Sequence, residues 1–150
     1  MLFGYIARGV TQFLGWLARG TLPAPKEPFH LRTGRKGEDE ACFHLRKQGY
    51  VMVARNFRSP RHRGEIDLIG WDHDVLCFIE VKTRTTHEVK PAEAAVDAHK
   101  RHEIAAVARD YRRHLSDHCQ WRFDVVSVYI DASGVQRPQF EVFRNSRLTG

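Results

Sequence analysis

Cysteine is scarce in this chain of 150 residues: Cys42, Cys77 and Cys119 are the whole set, and no two form a Cys-x-x-Cys pair. An odd, scattered set builds no disulfide framework and fits a reducing cytoplasm. No stretch approaches the ~18 to 20 unbroken apolar residues of a membrane-spanning helix. Internal repeats, collagen-like periodicity, coiled-coil heptads and low-complexity tracts are missing as well. Lysine and acid are in short supply against arginine. The 18 Arg and 6 Lys face 18 Asp+Glu, which leaves a net charge of +6 and a pI of about 9.5. A basic domain points to an anionic partner, most often nucleic acid, and the planar fork of Arg suits phosphate. What is present is the length of one ordinary domain, 42% hydrophobic, with apolar mass for a real core.

Residues 1–28 stand apart. Leu2, Ile6, Phe13 and Leu17, with Val10 nearby, recur at helical spacing, while Arg8, Thr11, Gln12 and Arg19 fall largely outside that stripe. The pattern predicts an amphipathic helix. No basic residue precedes its apolar part, so it does not read as a secretory signal. Such a helix packs on its own core, on a partner or on a membrane surface. Thr21–Pro28, TLPAPKEP, follows as a proline-rich linker. Residues 29–150 are then the domain proper.

Gly34–Gln48 carries Ala41, Cys42 and Leu45 at helical spacing, with Gly49 placed to cap its end. Tyr50–Phe57, Gly64–Gly70 and Val75–Lys82 read as strands, the last two joined by the polar turn Asp72-His73-Asp74. Pro91 suits the first turn of a helix. Ile104, Val107, Ala108, Tyr111 and Leu115 form one apolar stripe. Trp121–Ile130 and Val135–Phe143 read as closing strands around a turn at Asp131–Gly134. The order α-β-β-β-α-β-β predicts an α/β domain on a mixed sheet. His114, His118 and Cys119 lack a fourth ligand at zinc-site spacing and read as a polar helix end.

The hairpin carries the chemistry. If His73 and Asp74 form a two-residue turn, Asp72 pairs with Val75, and counting outward pairs Asp67 with Glu80. Directly opposite residues of an antiparallel pair share a face, with Cβ atoms ~5 Å apart. Two carboxylates that close repel, unless a cation sits between them or one takes a proton. Mg²⁺ accepts one or two protein carboxylates completed by water and substrate phosphate. Lys82 lies two residues beyond Glu80, on the same face and ~7 Å along. An ammonium there orients a metal-bound water and balances charge on a scissile phosphate. A half-exposed hairpin with weak surface ion pairs has the same alternation, so both readings stay open on pattern alone.

These residues resemble the YraN-like family of small bacterial proteins, a group assigned to the restriction-endonuclease-like, PD-(D/E)XK, nuclease superfamily. The resemblance runs from about Gly34 to Val128. It takes in Gly34-x-x-Gly37-Glu38-x-x-Ala41, Gly49-Tyr50 and Arg55-Asn56-x-Arg58. It continues through Gly64-Glu65-Ile66-Asp67-Leu68-Ile69, Phe78-Ile79-Glu80-Val81-Lys82-Thr83-Arg84, Pro91-x-Glu93-Ala94, Lys100 and Arg122-Phe123-Asp124-Val125-Val126. The resemblance implies a resolvase-like mixed sheet flanked by helices, to which this chain adds its N-terminal helix. It places Asp67 on the superfamily's metal-binding aspartate, Glu80 and Lys82 on its E-x-K, and Glu38 on the helical acid that completes the site in resolvase-like members. It also implies Mg²⁺ (or Mn²⁺) dependence, with Asp67 and Glu80 as metal ligands, and, by analogy with resolvase-like relatives, a homodimer. Two departures stand out. Residues 1–28 have no counterpart in shorter family members, and Thr83–Lys90 lacks the glycine-containing loop often found there.

Arg55, Arg58, Arg61 and Arg63 put four positive charges in nine residues with no acid between them. Beside a phosphodiester site they suit gripping a nucleic-acid backbone without reading its sequence. Lys100 heads the basic helix as a further phosphate contact. Glu65 shares a face with Asp67 in a regular strand and is either an outer ligand or a surface acid. Asp124 reads as structural and salt-bridged, and Trp71 as a packing residue. The expectation is a Mg²⁺- or Mn²⁺-dependent endonuclease acting on nucleic acid, DNA foremost. The alternatives are a nucleic-acid-binding module on the same fold without turnover, or an interaction protein docked through its N-terminal helix.

Overall fold

The computed structural model describes residues 29–85, 98–131, 133 and 135–148. The expected N-terminal helix, the proline-rich linker and the helix start at Pro91 lie outside the described residues. The elements run α1 (Phe29–Lys47), β1 (Val51–Phe57), β2 (Ile66–Asp72), β3 (Val75–Arg84), α2 (Ala98–Arg112), β4 (Gln120–Tyr129) and β5 (Gln139–Phe143). They build the mixed α/β sheet expected from the sequence. The sheet order is β1-β2-β3-β4-β5, with only β3 and β4 parallel. That one parallel pair is the one whose connection contains a helix, because parallel strands need a long crossover.

The helices cover opposite faces. Ala41, Cys42 and Leu45 of α1 pack on Leu68, Cys77 and Ile79. Ile104, Val107 and Ala108 of α2 pack on Ile69, Phe78 and Phe123. β3 is therefore buried on both sides, which explains its near-continuous apolar run. Trp71 packs against the α2-side core, as a packing residue would.

Several boundaries differ from the sequence expectation. α1 begins at Phe29 rather than Gly34. Gly34 and Gly37 each weaken a helix by ~1 kcal/mol, but packing overrides that cost. A Cβ at Gly37 would stand 1.8 Å from Thr83 Oγ1 and 2.9 Å from Thr83 Cβ. The missing side chain lets α1 lie directly on β3 at Thr83, on the face opposite Glu80 and Lys82. Gly37→Ala is expected to destabilise the domain by ~2–4 kcal/mol, a Tm loss of roughly 10 °C in a thermal melt. Thr83→Ala, which removes the nearest atom, should recover part of that loss. Additive losses in the double variant would contradict the contact.

The apolar stripe of α2 continues to Leu115, yet the helix stops at Arg112. The next turn tightens, with Leu115 N–H donating to Arg112 O at 3.0 Å, so Leu115 still reaches the core. The last strand starts at Gln139, not Val135. Pro138 has no N–H to give a ladder, and Val135 is exposed. Gly49 caps α1 as expected, at φ +94°, with Tyr50 N–H returning to Leu45 O at 3.1 Å.

Candidate functional site

The hairpin register is the one counted from its turn. Asp72 pairs with Val75 and Leu68 with Ile79, so the next step sets Asp67 against Glu80. Glu80 is 3% exposed. Its Oε1 accepts from Lys82 Nζ at 2.8 Å, and Lys100 Nζ lies 3.7 Å from its Oε2. That second oxygen is buried and accepts no hydrogen bond. Asp67 Oδ2 accepts from Val81 N–H at 2.7 Å, across the strand pair. β2 and β3 thus present two carboxylates side by side, and α2 brings Lys100 over them.

Burial, and then the neighbouring Glu80 carboxylate, push Asp67 up to about 7 from the usual 3.8. The Val81 amide works against this shift, and Glu38 adds to it. A carboxylate held in that state favours a proton or a metal ion as its occupant.

The donor set fits a divalent cation held by two carboxylates and completed from outside. The orphaned Glu80 Oε2 is the observation that carries this fit, since a buried acceptor without a partner costs free energy. An all-protein cage is not formed: among the described residues, no three His, Cys, Asp or Glu side chains are grouped to hold a metal. Glu38 stands aside, its Oε2 accepting from Asn56 Nδ2 at 2.9 Å. Asn56 takes φ +49° near the end of β1, a left-handed conformation that Asn tolerates, and from there it reaches α1. Asn56 had no expected role beyond its place in the Arg55-Asn56-x-Arg58 motif. The signal that could have found it is an Asn, a residue that tolerates the left-handed conformation, directly before the last strand residue, Phe57.

The arginine-rich loop meets acids from elsewhere in the chain. Arg55 pairs with Asp39 at 2.5 Å, Arg58 with Glu65, and Arg61 with Asp110 at 3.4 Å. Arg63 is exposed. All three pairs use exposed arginines, and such pairs contribute little, so a phosphate can compete for them. Arg55, Asn56, Arg58, Glu38 and Glu65 line one cleft of about 570 Å³ between α1 and the loop. Glu65 lies just outside β2 and is engaged by Arg58.

Asp124 is structural, as expected. Both its oxygens accept from Arg122 Nε, at 3.0 and 2.9 Å, and Arg122 also reaches Asp72 at 2.6 Å and the Tyr50 hydroxyl at 2.9 Å. This network locks the turn end of the hairpin, away from Asp67 and Glu80. His114, His118 and Cys119 lie in the connection between the end of α2 at Arg112 and β4 at Gln120. No helix among the described residues is long and apolar enough to cross a membrane.

Comparison with known proteins gives a consistent picture. The profile described as "Uncharacterised protein family UPF0102" matches residues 37–128. A UPF0102 protein of Koribacter versatilis is 49% identical over 141 residues, covering 94% of this chain and 96% of its own. One of Solibacter usitatus is 48% identical, covering 89% and 98%, and one of Chlorobaculum tepidum is 41% identical, covering 78% and 92%. A 94% match leaves about 9 of the 150 residues outside it, so the Koribacter relative shares most of residues 1–28. The segment that shorter family members lack therefore has a counterpart in at least one longer relative. The chain belongs to the UPF0102 family, the YraN-like group that its motifs resemble.

Proposed function

We propose that this protein is a divalent-metal-dependent nuclease that hydrolyses phosphodiester bonds in nucleic acid, with DNA as the first substrate to test. One observation carries the reading: the hairpin register sets Asp67 against Glu80 beside Lys82, with Glu80 buried and one of its oxygens accepting no hydrogen bond. The resemblance to PD-(D/E)XK nucleases supports the same assignment. Asp67 and Glu80 would hold Mg²⁺ or Mn²⁺. The bound ion would lower the pKa of its water and neutralise charge at the phosphate. Lys82, already at the Glu80 carboxylate, orients the attacking water and donates to the phosphate oxygen that gains charge. Glu38, held by Asn56, would be the further acid beside the metal that the resemblance implies. Arg55, Arg58, Arg61 and Arg63 bind the backbone, and Lys100 contributes a phosphate contact beside Glu80.

A second reading is a nucleic-acid-binding module without turnover. It is favoured by the two lysines that already neutralise Glu80, at 2.8 and 3.7 Å. A cleavage screen separates the two. Purified protein is incubated with Mg²⁺ or Mn²⁺ and with duplex, single-stranded, flapped and branched DNA and RNA. The nuclease reading expects metal-dependent scission of at least one substrate, abolished by EDTA. Binding to these substrates with no scission of any would establish the module instead.

A further inference from the structure

Among the described residues, four buried side-chain polar atoms make no well-formed hydrogen bond: Glu80 Oε2, Arg84 Nε, Arg84 Nη2 and Ser127 Oγ, the last lying against the Tyr129 hydroxyl. All four belong to one face of two adjacent strands. Glu80, Lys82 and Arg84 alternate along β3 onto the α2 side, and β4 sets Ser127 beside Lys82 and Tyr129 beside Arg84. Buried polar atoms are nearly always paired, because leaving one unpaired costs free energy. Their gathering on one shelf beside the candidate carboxylates marks polar groups that the described residues leave unsatisfied.

The chemistry of that partner follows from Arg84. Nε and Nη2 occupy the same edge of the guanidinium, the edge that donates two parallel hydrogen bonds to the oxygens of one phosphate or carboxylate. Two acidic oxygens along the shelf already have partners. Glu80 Oε1 is held by Lys82, and Glu141, opposite Ser127 on β5, accepts the Tyr129 hydroxyl at 2.7 Å. Ser127 is completely enclosed and serves as floor. Arg84 is half-buried, and no hydrogen bond from this edge holds it in place. Turning the edge outward to an anion therefore sacrifices nothing.

We propose that Arg84 is a phosphate clamp, binding the nucleic-acid backbone at a phosphate next to the one addressed by Asp67, Glu80 and Lys82. The proposal rests on nucleic acid being the ligand of this site. Alternate residues of a strand stand ~7 Å apart, so Arg84 and Lys82 serve different phosphates.

The test is binding of a labelled short duplex and a labelled single strand, measured by fluorescence anisotropy across a salt series, once in EDTA and once in Ca²⁺. Wild type is compared with Arg84→Gln and Arg84→Lys, with thermal melts alongside. Arg84→Gln is expected to weaken binding roughly 10- to 100-fold. It should also lower the slope of log affinity against log salt by about 0.9 for duplex or 0.7 for single strand, with Tm unchanged. Arg84→Lys should restore the slope but only part of the affinity, since the fork is lost. Equal affinity and slope in Arg84→Gln would overturn the clamp, as would a lowered Tm with an unchanged slope. A wild type that binds neither probe would overturn it too. The nuclease reading is judged separately. If wild type binds but cuts nothing while Arg84→Gln still loses affinity and slope, the clamp stands and the nuclease reading fails. If wild type cuts and Arg84→Gln binds and cuts as well as wild type, the reverse holds.

Discussion

Glu80→Gln is expected to reduce cleavage by about 10³-fold or more, equivalent to ~4 kcal/mol of lost transition-state stabilisation, while leaving nucleic-acid binding intact. The substitution keeps the shape of a side chain that is 3% exposed, so the fold should persist. It removes the charge that faces Asp67 on one side and two ammoniums on the other. Single-turnover cleavage and anisotropy on the same preparation check both halves. Retained cleavage would show that Glu80 is not a ligand of the reacting centre. Joint loss of cleavage and Tm would show that its role is structural. Alanine would in addition leave a cavity and remove the acceptor that Lys82 uses, so it is the poorer choice here.

Asp67→Asn should inactivate the protein and yet stabilise its metal-free fold above neutral pH. In the folded chain Asp67 titrates near 7, against an ordinary 3.8. Between those values the folded state holds a proton that the unfolded state has released. Wild-type stability therefore falls as pH rises from about 4 to about 7 and stays at the lower level above. Asparagine carries no charge to repel Glu80, and its carbonyl still accepts from Val81. At pH 8 without metal, Asp67→Asn is expected to melt roughly 3–10 °C above wild type, a gain of ~1–3 kcal/mol, with the difference vanishing towards pH 4. Adding Mn²⁺ should raise the Tm of wild type and not of Asp67→Asn. A variant that melts below wild type at pH 8 would mean that Asp67 is held by attractive contacts, not crowded by Glu80. The cost of keeping two carboxylates together is the kind of strain that functional sites retain.

The central pairing was legible because it follows from one turn. Once His73 and Asp74 close the hairpin, strand alternation leaves no freedom in where Asp67 and Glu80 meet. The approach of Lys100 to Glu80 was not legible, because it depends on how α2 crosses β3. Nor was the path of β1. A bulge between Met52 and Ala54 and the left-handed Asn56 redirect the strand, and neither leaves a periodic trace. The start of α1 was hidden because Gly34 and Gly37 argue against a helix locally, while the need for Gly37 arises only from contact with Thr83, 46 positions away. The arginine loop looked unopposed because two of its three acids, Asp39 and Asp110, lie far off in sequence, and the third, Glu65, read as a neighbour of Asp67. Arg84 gave no signal of its own. Only the failure of its guanidinium edge to find a partner in the folded chain singles it out.

The most direct measurement is calorimetric titration of Mn²⁺ into the wild-type protein and into Glu80→Gln, alone and then with a short duplex present. Duplex belongs in the experiment because a site with two protein carboxylates draws its remaining ligands from phosphate and water. The account predicts saturable binding by wild type, tighter with duplex, with proton release that grows as pH falls below 7, and no such binding by Glu80→Gln. Equal heats from wild type and variant, or none from wild type even with duplex present, would contradict the assignment of Asp67 and Glu80 as a metal-holding pair.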